Sequence, residues 1–94
     1  MRVRWTRPAL NNLDEIQDYV AQDSPAAAYR LAQDIANRTE ALALSPRLGR
    51  VGRARGTREL VFAGLPYIVV YRLTEAVEIL AVVHTARQWP RAFE

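Results

Sequence analysis

A chain of 94 residues, 50% hydrophobic, suffices for one packed domain (1–94) and leaves no room for two. With no cysteine and a single histidine, His84, it excludes disulfides, thiolate chemistry and multi-histidine metal sites, and no metal or cofactor is expected. All 13 basic residues are arginine against 10 acids, and the net charge of +3 says less than where the charge sits along the chain.

At the front, residues 3–5 suit a short strand. No apolar stretch follows the charged start, so no signal peptide is expected. The apolar runs at 67–71 and 79–83 are too short to cross a bilayer. A cytoplasmic location without a membrane partner is the resulting expectation. Thr6 offers an N-cap hydroxyl, and Pro8 fits a first helical turn, where its missing N–H costs nothing. Leu10, Leu13, Ile16 and Val20 follow as one apolar stripe, with Asn12, Asp14, Glu15 and Asp18 off it. The spacing predicts a helix over 8–21.

Ser24-Pro25 is a second cap and restart. Ala28, Leu31, Ala32, Ile35 and Leu42 then keep helical spacing to about residue 44, where Ser45-Pro46 ends it. The short gap between the two helices predicts an antiparallel helical hairpin. Residues 10–45 carry most of the acids. Residues 46–58 carry none, yet hold Arg47, Arg50, Arg53, Arg55 and Arg58 among Pro46, Gly49, Gly52 and Gly56. This reads as a loop with a focused positive potential that would attract nucleic acid or an acidic protein segment. The plainer reading is a solvated loop.

From Arg58 the pattern becomes β. Residues 58–62 alternate, with Leu60 and Phe62 on one face and Glu59 and Val61 on the other. Gly64-Leu65-Pro66 is a turn, and 67–72 is rich in β-branched and aromatic residues, as a central strand should be. Thr74-Glu75-Ala76 makes a hairpin connection. In 77–84, Val77, Ile79, Ala81 and Val83 should share one face, opposite Glu78, Leu80, Val82 and His84. The tail, 85–94, carries Arg87, Trp89 and Pro90 and reads as a final turn. The order is β-α-α-β-β-β. The fold class is α+β: an N-terminal strand, then an antiparallel helical hairpin packed on a small antiparallel sheet. The other sheet face should be partly open, bordered by the arginine loop and the tail.

Several fragments occur together in order. In front are Trp5-Thr6, Ala9-Leu10, Leu13-Asp14-Glu15-Ile16, Tyr19 and Ser24-Pro25-Ala26-Ala27. Leu44-Ser45-Pro46, Gly49-Arg50 and Gly56-Thr57-Arg58-Glu59-Leu60 follow. Pro66-Tyr67-Ile68-Val69-Val70-Tyr71-Arg72, Val77-Glu78-Ile79-Leu80 and His84-Thr85-Ala86-Arg87-Gln88-Trp89-Pro90 complete the set. With these the chain resembles the RelE/ParE superfamily of bacterial toxins over nearly its whole length. The strand around Arg58-Glu59-Leu60 and the ending from His84 to Pro90 are closer to the ParE branch.

The resemblance implies the toxin of a type II toxin–antitoxin system, neutralised by a cognate antitoxin with an acidic or amphipathic segment. Operator DNA would be reached only through that antitoxin. ParE-type relatives inhibit DNA gyrase, whereas RelE-type relatives are endoribonucleases that cut mRNA on the ribosome; a shared fold does not choose between them. Candidate residues for target or antitoxin binding are Arg47, Arg50, Arg53, Arg55, Arg58, Arg72, Arg87 and Trp89. For RNA cleavage the candidates are Arg58, Arg72 and Arg87 for phosphate charge and His84 for proton transfer. His84 also reads simply as a strand-end packing residue, and Arg58 and Arg72 as partners of Glu59, Glu78 or an antitoxin carboxylate. Two departures weigh against a nuclease: the chain has no lysine, and no tyrosine follows Tyr71. The reading is therefore a ParE-like growth inhibitor that binds gyrase, with a RelE-like ribosome-dependent endoribonuclease as the alternative and a plain anion-binding module as the third.

Overall fold

The first strand, Val3–Trp5 (β1), ends at Thr6, and that residue sets both a helix start and a strand contact. Its extended backbone precedes Arg7–Ala21 (α1), and its Oγ1 accepts the Ala9 N–H at 3.4 Å. The same hydroxyl donates to the Ile79 carbonyl at 2.7 Å. Ser24 caps Pro25–Glu40 (α2) in the same way, accepting from Ala27 N–H at 3.1 Å. The computed structural model describes residues 1–87, 89, 90 and 93.

Both helices bury the expected side with one shift. Ala9 is fully buried, while Leu10 stands 40% exposed, so the α1 stripe runs from Ala9 through Leu13 to Ile16. In α2, Ala28, Ile35 and Thr39 are buried. The Thr39 hydroxyl donates to the Ile35 carbonyl at 2.7 Å, so its burial leaves no polar group unpaired. The helix ends at Glu40, and a 3₁₀ turn over Ala41–Ala43 completes the stretch that periodicity carries to 44.

Four more strands follow: Arg50–Val51 (β2), Arg58–Val61 (β3), Tyr67–Leu73 (β4) and Val77–His84 (β5). Their order in the sheet is β1-β5-β4-β3-β2. Two expectations are corrected here. Part of the arginine loop is a strand, because Arg50 and Val51 pair with Glu59 and Arg58. The sheet is mixed, because β1 runs parallel to β5 while the other pairs are antiparallel. The connection between parallel β1 and β5 runs through the helical hairpin and then β2, β3 and β4, so β5 returns between β1 and β4.

A third correction concerns the faces of β5. Tyr71 pairs with Ile79 but Val70 pairs with Ala81, so the ladder skips Leu80 as a bulge. A bulge reverses the side-chain alternation beyond it. Val77, Ile79 and Val82 therefore join the core against the helices, in place of the regular set ending in Ala81 and Val83. Tyr67, Val69 and Tyr71 of β4 and Leu60 of β3 join them, under Ile16, Ile35 and Leu42. On the opposite, outer face, Ile68, Val70 and Ala81 are 4% exposed or less. That face is closed at its centre, and at its β3 edge Val61 is 49% exposed.

Candidate functional site

The outer face carries two carboxylates in one sheet, each held by two arginines. Glu59 stands opposite Val70 on β3 and is 3% exposed. Its Oε1 accepts from Arg50 Nε at 3.0 Å and Nη2 at 2.9 Å. Its Oε2 accepts the Arg53 backbone N–H at 2.9 Å and Arg53 Nε at 3.2 Å. Burial pushes the Glu59 carboxyl up, but the Arg53 amide and the two guanidiniums outweigh it and hold the group below its ordinary value.

The second cluster follows from strand register. Arg4 on β1, Glu78 on β5 and Arg72 on β4 lie in one row across the sheet. Arg72 Nε donates to Glu78 Oε1 at 2.6 Å, and Arg4 donates to Oε2. Those hydrogen bonds lower the Glu78 carboxyl, and the same contact raises Arg4. Cross-strand pairs of opposite charge of this kind support a sheet.

The arginine loop is tied down beneath. Tyr71, fully buried, accepts the Gly49 N–H at 2.9 Å and donates to the Pro46 carbonyl at 2.7 Å. Burial raises the Tyr71 hydroxyl, against the opposing pull of the Gly49 N–H and the Arg58 charge. Arg58 donates to the Gly49 carbonyl at 2.8 Å and more weakly to that of Arg47 at 3.5 Å. Gly49 admits no side chain, since a Cβ there would lie 2.7 Å from Tyr71 Cε1 and 2.9 Å from the Glu59 carbonyl.

The tail meets this loop. The Arg53 guanidinium lies over the Trp89 ring, 3.4 Å from its centre. The expected final turn begins with the Arg87 N–H donating to the His84 carbonyl at 3.2 Å; Gln88, Arg91, Ala92 and Glu94 lie outside the described residues.

His84 and Arg87 line one cavity of about 230 Å³ with Asn12, Glu15 and Ile16 of α1. His84 Nδ1 accepts the Ala86 N–H at 3.0 Å, and its ring meets the Tyr67 ring edge-on at 5.3 Å. An Nδ1 that accepts a hydrogen bond is the unprotonated nitrogen of the ring. Arg87 lies over Tyr19, 5.6 Å from the ring centre. Arg58 is elsewhere. It pairs with Tyr71, whereas His84 pairs with Tyr67, two strands across and four residues along. Ladder spacing puts the two backbones roughly 16 Å apart.

Of the sequence candidates, Arg50 and Arg53 are therefore brought together on Glu59, and Trp89 joins them through its stack with Arg53. Arg72 joins a separate Glu78 cluster, and His84 and Arg87 share the α1 cavity. Arg47 and Arg55 are exposed and have no carboxylate partner among the described residues. Arg4, Gly49 and Tyr71 were not among the sequence candidates. Arg4 is placed beside Glu78 only by the β1–β5 register. Among the described residues no group of three His, Asp or Glu side chains could hold a metal ion, and no helix is long and apolar enough to cross a membrane.

Comparison with known proteins supplies the wider context. The model for the ParE toxin of type II toxin–antitoxin systems (parDE) matches residues 3–89. Y4kP of Sinorhizobium fredii, which carries a provisional toxin name, is 50% identical over 90 residues, covering 96% of this chain and 94% of its own. Toxin RelE2 of Caulobacter vibrioides is 39% identical over 87 residues, covering 92% and 97%. A chain from the chromosomal ParDE toxin–antitoxin system of P. aeruginosa superposes with a TM-score of 0.82 at 30% identity, covering 89% of this chain and 95% of that one.

Proposed function

We propose, from the premise that the chain belongs to the ParE toxin family of type II toxin–antitoxin systems, that it arrests growth by binding DNA gyrase. Membership implies a cognate antitoxin as partner, and operator DNA is reached only through that antitoxin. One observation carries the reading: the arginine loop and the tail form a single cationic and aromatic surface through the Arg53–Trp89 stack. A surface of fixed guanidiniums and an indole suits tight, stalled binding to a macromolecule.

Proton transfer would need more. Metal-free RNA cleavage requires a base, an acid and charge stabilisation at one phosphate. Arginine stays protonated, the His84 Nδ1 lone pair is engaged by Ala86, and the Arg58 and His84 backbones lie two strands and four residues apart. The RelE-like ribosome-dependent endoribonuclease is the second reading. It is favoured by the cavity that His84 and Arg87 share and by the name of the Caulobacter relative.

Paired assays separate the two. Purified protein should inhibit gyrase supercoiling and accumulate gyrase–DNA cleavage complexes, while mRNA in a translating extract stays intact. Unchanged gyrase activity over a wide dose range, together with mRNA cleavage that His84→Ala or Arg87→Ala abolishes, would replace this reading with the nuclease.

A further inference from the structure

The two outer-face carboxylates divide the sheet and loop arginines into two sets. Arg50 and Arg53 are paired with Glu59, and Arg4 and Arg72 with Glu78. Arg47, Arg55 and Arg58 have no carboxylate partner among the described residues. Two of these three meet in one place. Arg47 and Arg58 line a hollow of about 320 Å³ with Val51, Gly56, Thr57 and Leu73, a lining that holds no acid. The third, Arg55, directly precedes Gly56 and is exposed.

The hollow is held by hydrogen bonds on two sides. Arg58 Nη1 donates to the Gly49 carbonyl at 2.8 Å, which sets the guanidinium and leaves its Nε and Nη2 uncommitted among the described residues. Thr57 is buried, and its hydroxyl donates to the Ala54 carbonyl at 2.6 Å. The Thr57 carbonyl in turn accepts the Gly52 N–H at 2.8 Å. Gly56 has a φ of 75°, and a Cβ there would meet nothing within 4 Å, so its backbone stands open to another molecule. A surface fixed in this way loses little freedom on binding.

Charge and wall chemistry choose the ligand. The fork of a guanidinium matches the oxygens of a phosphate or a carboxylate. A single carboxylate would neutralise only one of three neighbouring cations, whereas a nucleic-acid backbone brings a phosphate at every nucleotide and meets all three. The walls beside the arginines, Val51 and Leu73, are aliphatic, and no aromatic ring is among the lining residues. Tyr71 is fully buried, and Trp89 is covered by Arg53. Unpaired bases are gripped by stacking on aromatic rings, so this site suits the backbone of a duplex rather than a single strand.

We infer that the hollow between Arg47, Arg58 and Gly56 binds the phosphodiester backbone of duplex DNA, with Arg55 on a neighbouring phosphate. Backbone contacts carry no sequence information, so operator recognition stays with the antitoxin. The inference concerns the free protein and stands independently of gyrase as the target.

The test is fluorescence anisotropy of the full-length protein with a labelled DNA duplex at several salt concentrations. Three phosphate contacts give a slope of about −2.7 in log affinity against log salt, at about −0.9 per contact. Arg47→Ala and Arg55→Ala should each make that slope shallower by about 1. Arg58→Gln, which retains a donor for the Gly49 carbonyl, should do the same. Arg30→Ala, an exposed change on α2, should leave the slope as it is. Thermal unfolding of each variant verifies folding. As an independent measurement, the Gly56 and Thr57 amide resonances should shift on addition of the duplex. An unchanged slope in the Arg47 and Arg55 variants overturns the site, and so does an equal loss in Arg30→Ala, which would mark an effect of net charge alone. Tighter binding of single-stranded RNA of the same length overturns the assignment to a duplex. The assay contains no gyrase, so its failure and a failure of gyrase inhibition are read separately.

Discussion

Arg53 serves two partners at once: its amide and Nε hold Glu59 Oε2, and its guanidinium covers the Trp89 ring at 3.4 Å. The loop between the helices and the sheet is thereby tied to the tail that follows the last strand. Neither segment has a regular element of its own at this contact, so the stack and the buried carboxylate supply much of its order.

Arg53→Ala and Trp89→Ala should each lower stability by about 1 kcal/mol, and the double variant should cost less than the two combined, by about 0.5–1 kcal/mol. Urea unfolding of the four proteins checks the coupling. Full additivity would mean the two side chains do not support each other.

Glu59→Ala should be more costly. It leaves two guanidiniums and one amide without their acceptor in a site 3% exposed. We expect about 2 kcal/mol, less than for a wholly buried pair because Arg50 and Arg53 are 55% and 54% exposed. The same variant should bind heparin more tightly at low salt, since two arginines lose their internal counter-charge.

Acid should unfold the protein through the same carboxylates. Both Glu59 and Glu78 are held below their ordinary value in the folded state. The unfolded chain therefore binds protons first as pH falls, and stability that is complete above the ordinary glutamate range, about 4.3, is lost as pH drops through the lowered folded values. Denaturation midpoints across pH 2–7 would show this limb, and Glu59→Gln should flatten it. A pH-independent midpoint would refute the linkage.

Tyr71→Phe should cost about 1–2 kcal/mol, because the Gly49 N–H and the Pro46 carbonyl both lose a partner in or near the core. Hydrogen exchange should rise across 46–52 and leave α1 unchanged. Gly49→Ala should loosen the same loop by forcing a methyl against the Tyr71 ring.

Much of this protein was legible residue by residue. Thr6 and Ser24-Pro25 mark the helix starts, Ile16 and Ile35 mark the buried faces, and 67–72 announces a central strand. Helix capping and hydrophobic period act over a few residues, so the sequence alone determines them, and with them the family and the arginine-rich segment. What it could not determine was which arginines remain available. Arg4 is neutralised by a glutamate 74 positions away, Leu80 is skipped by a bulge that depends on its partner strand, and Arg58 is turned inward to backbone carbonyls far from His84. Those outcomes depend on strands distant in sequence finding a common register, and only the packed sheet fixes that register.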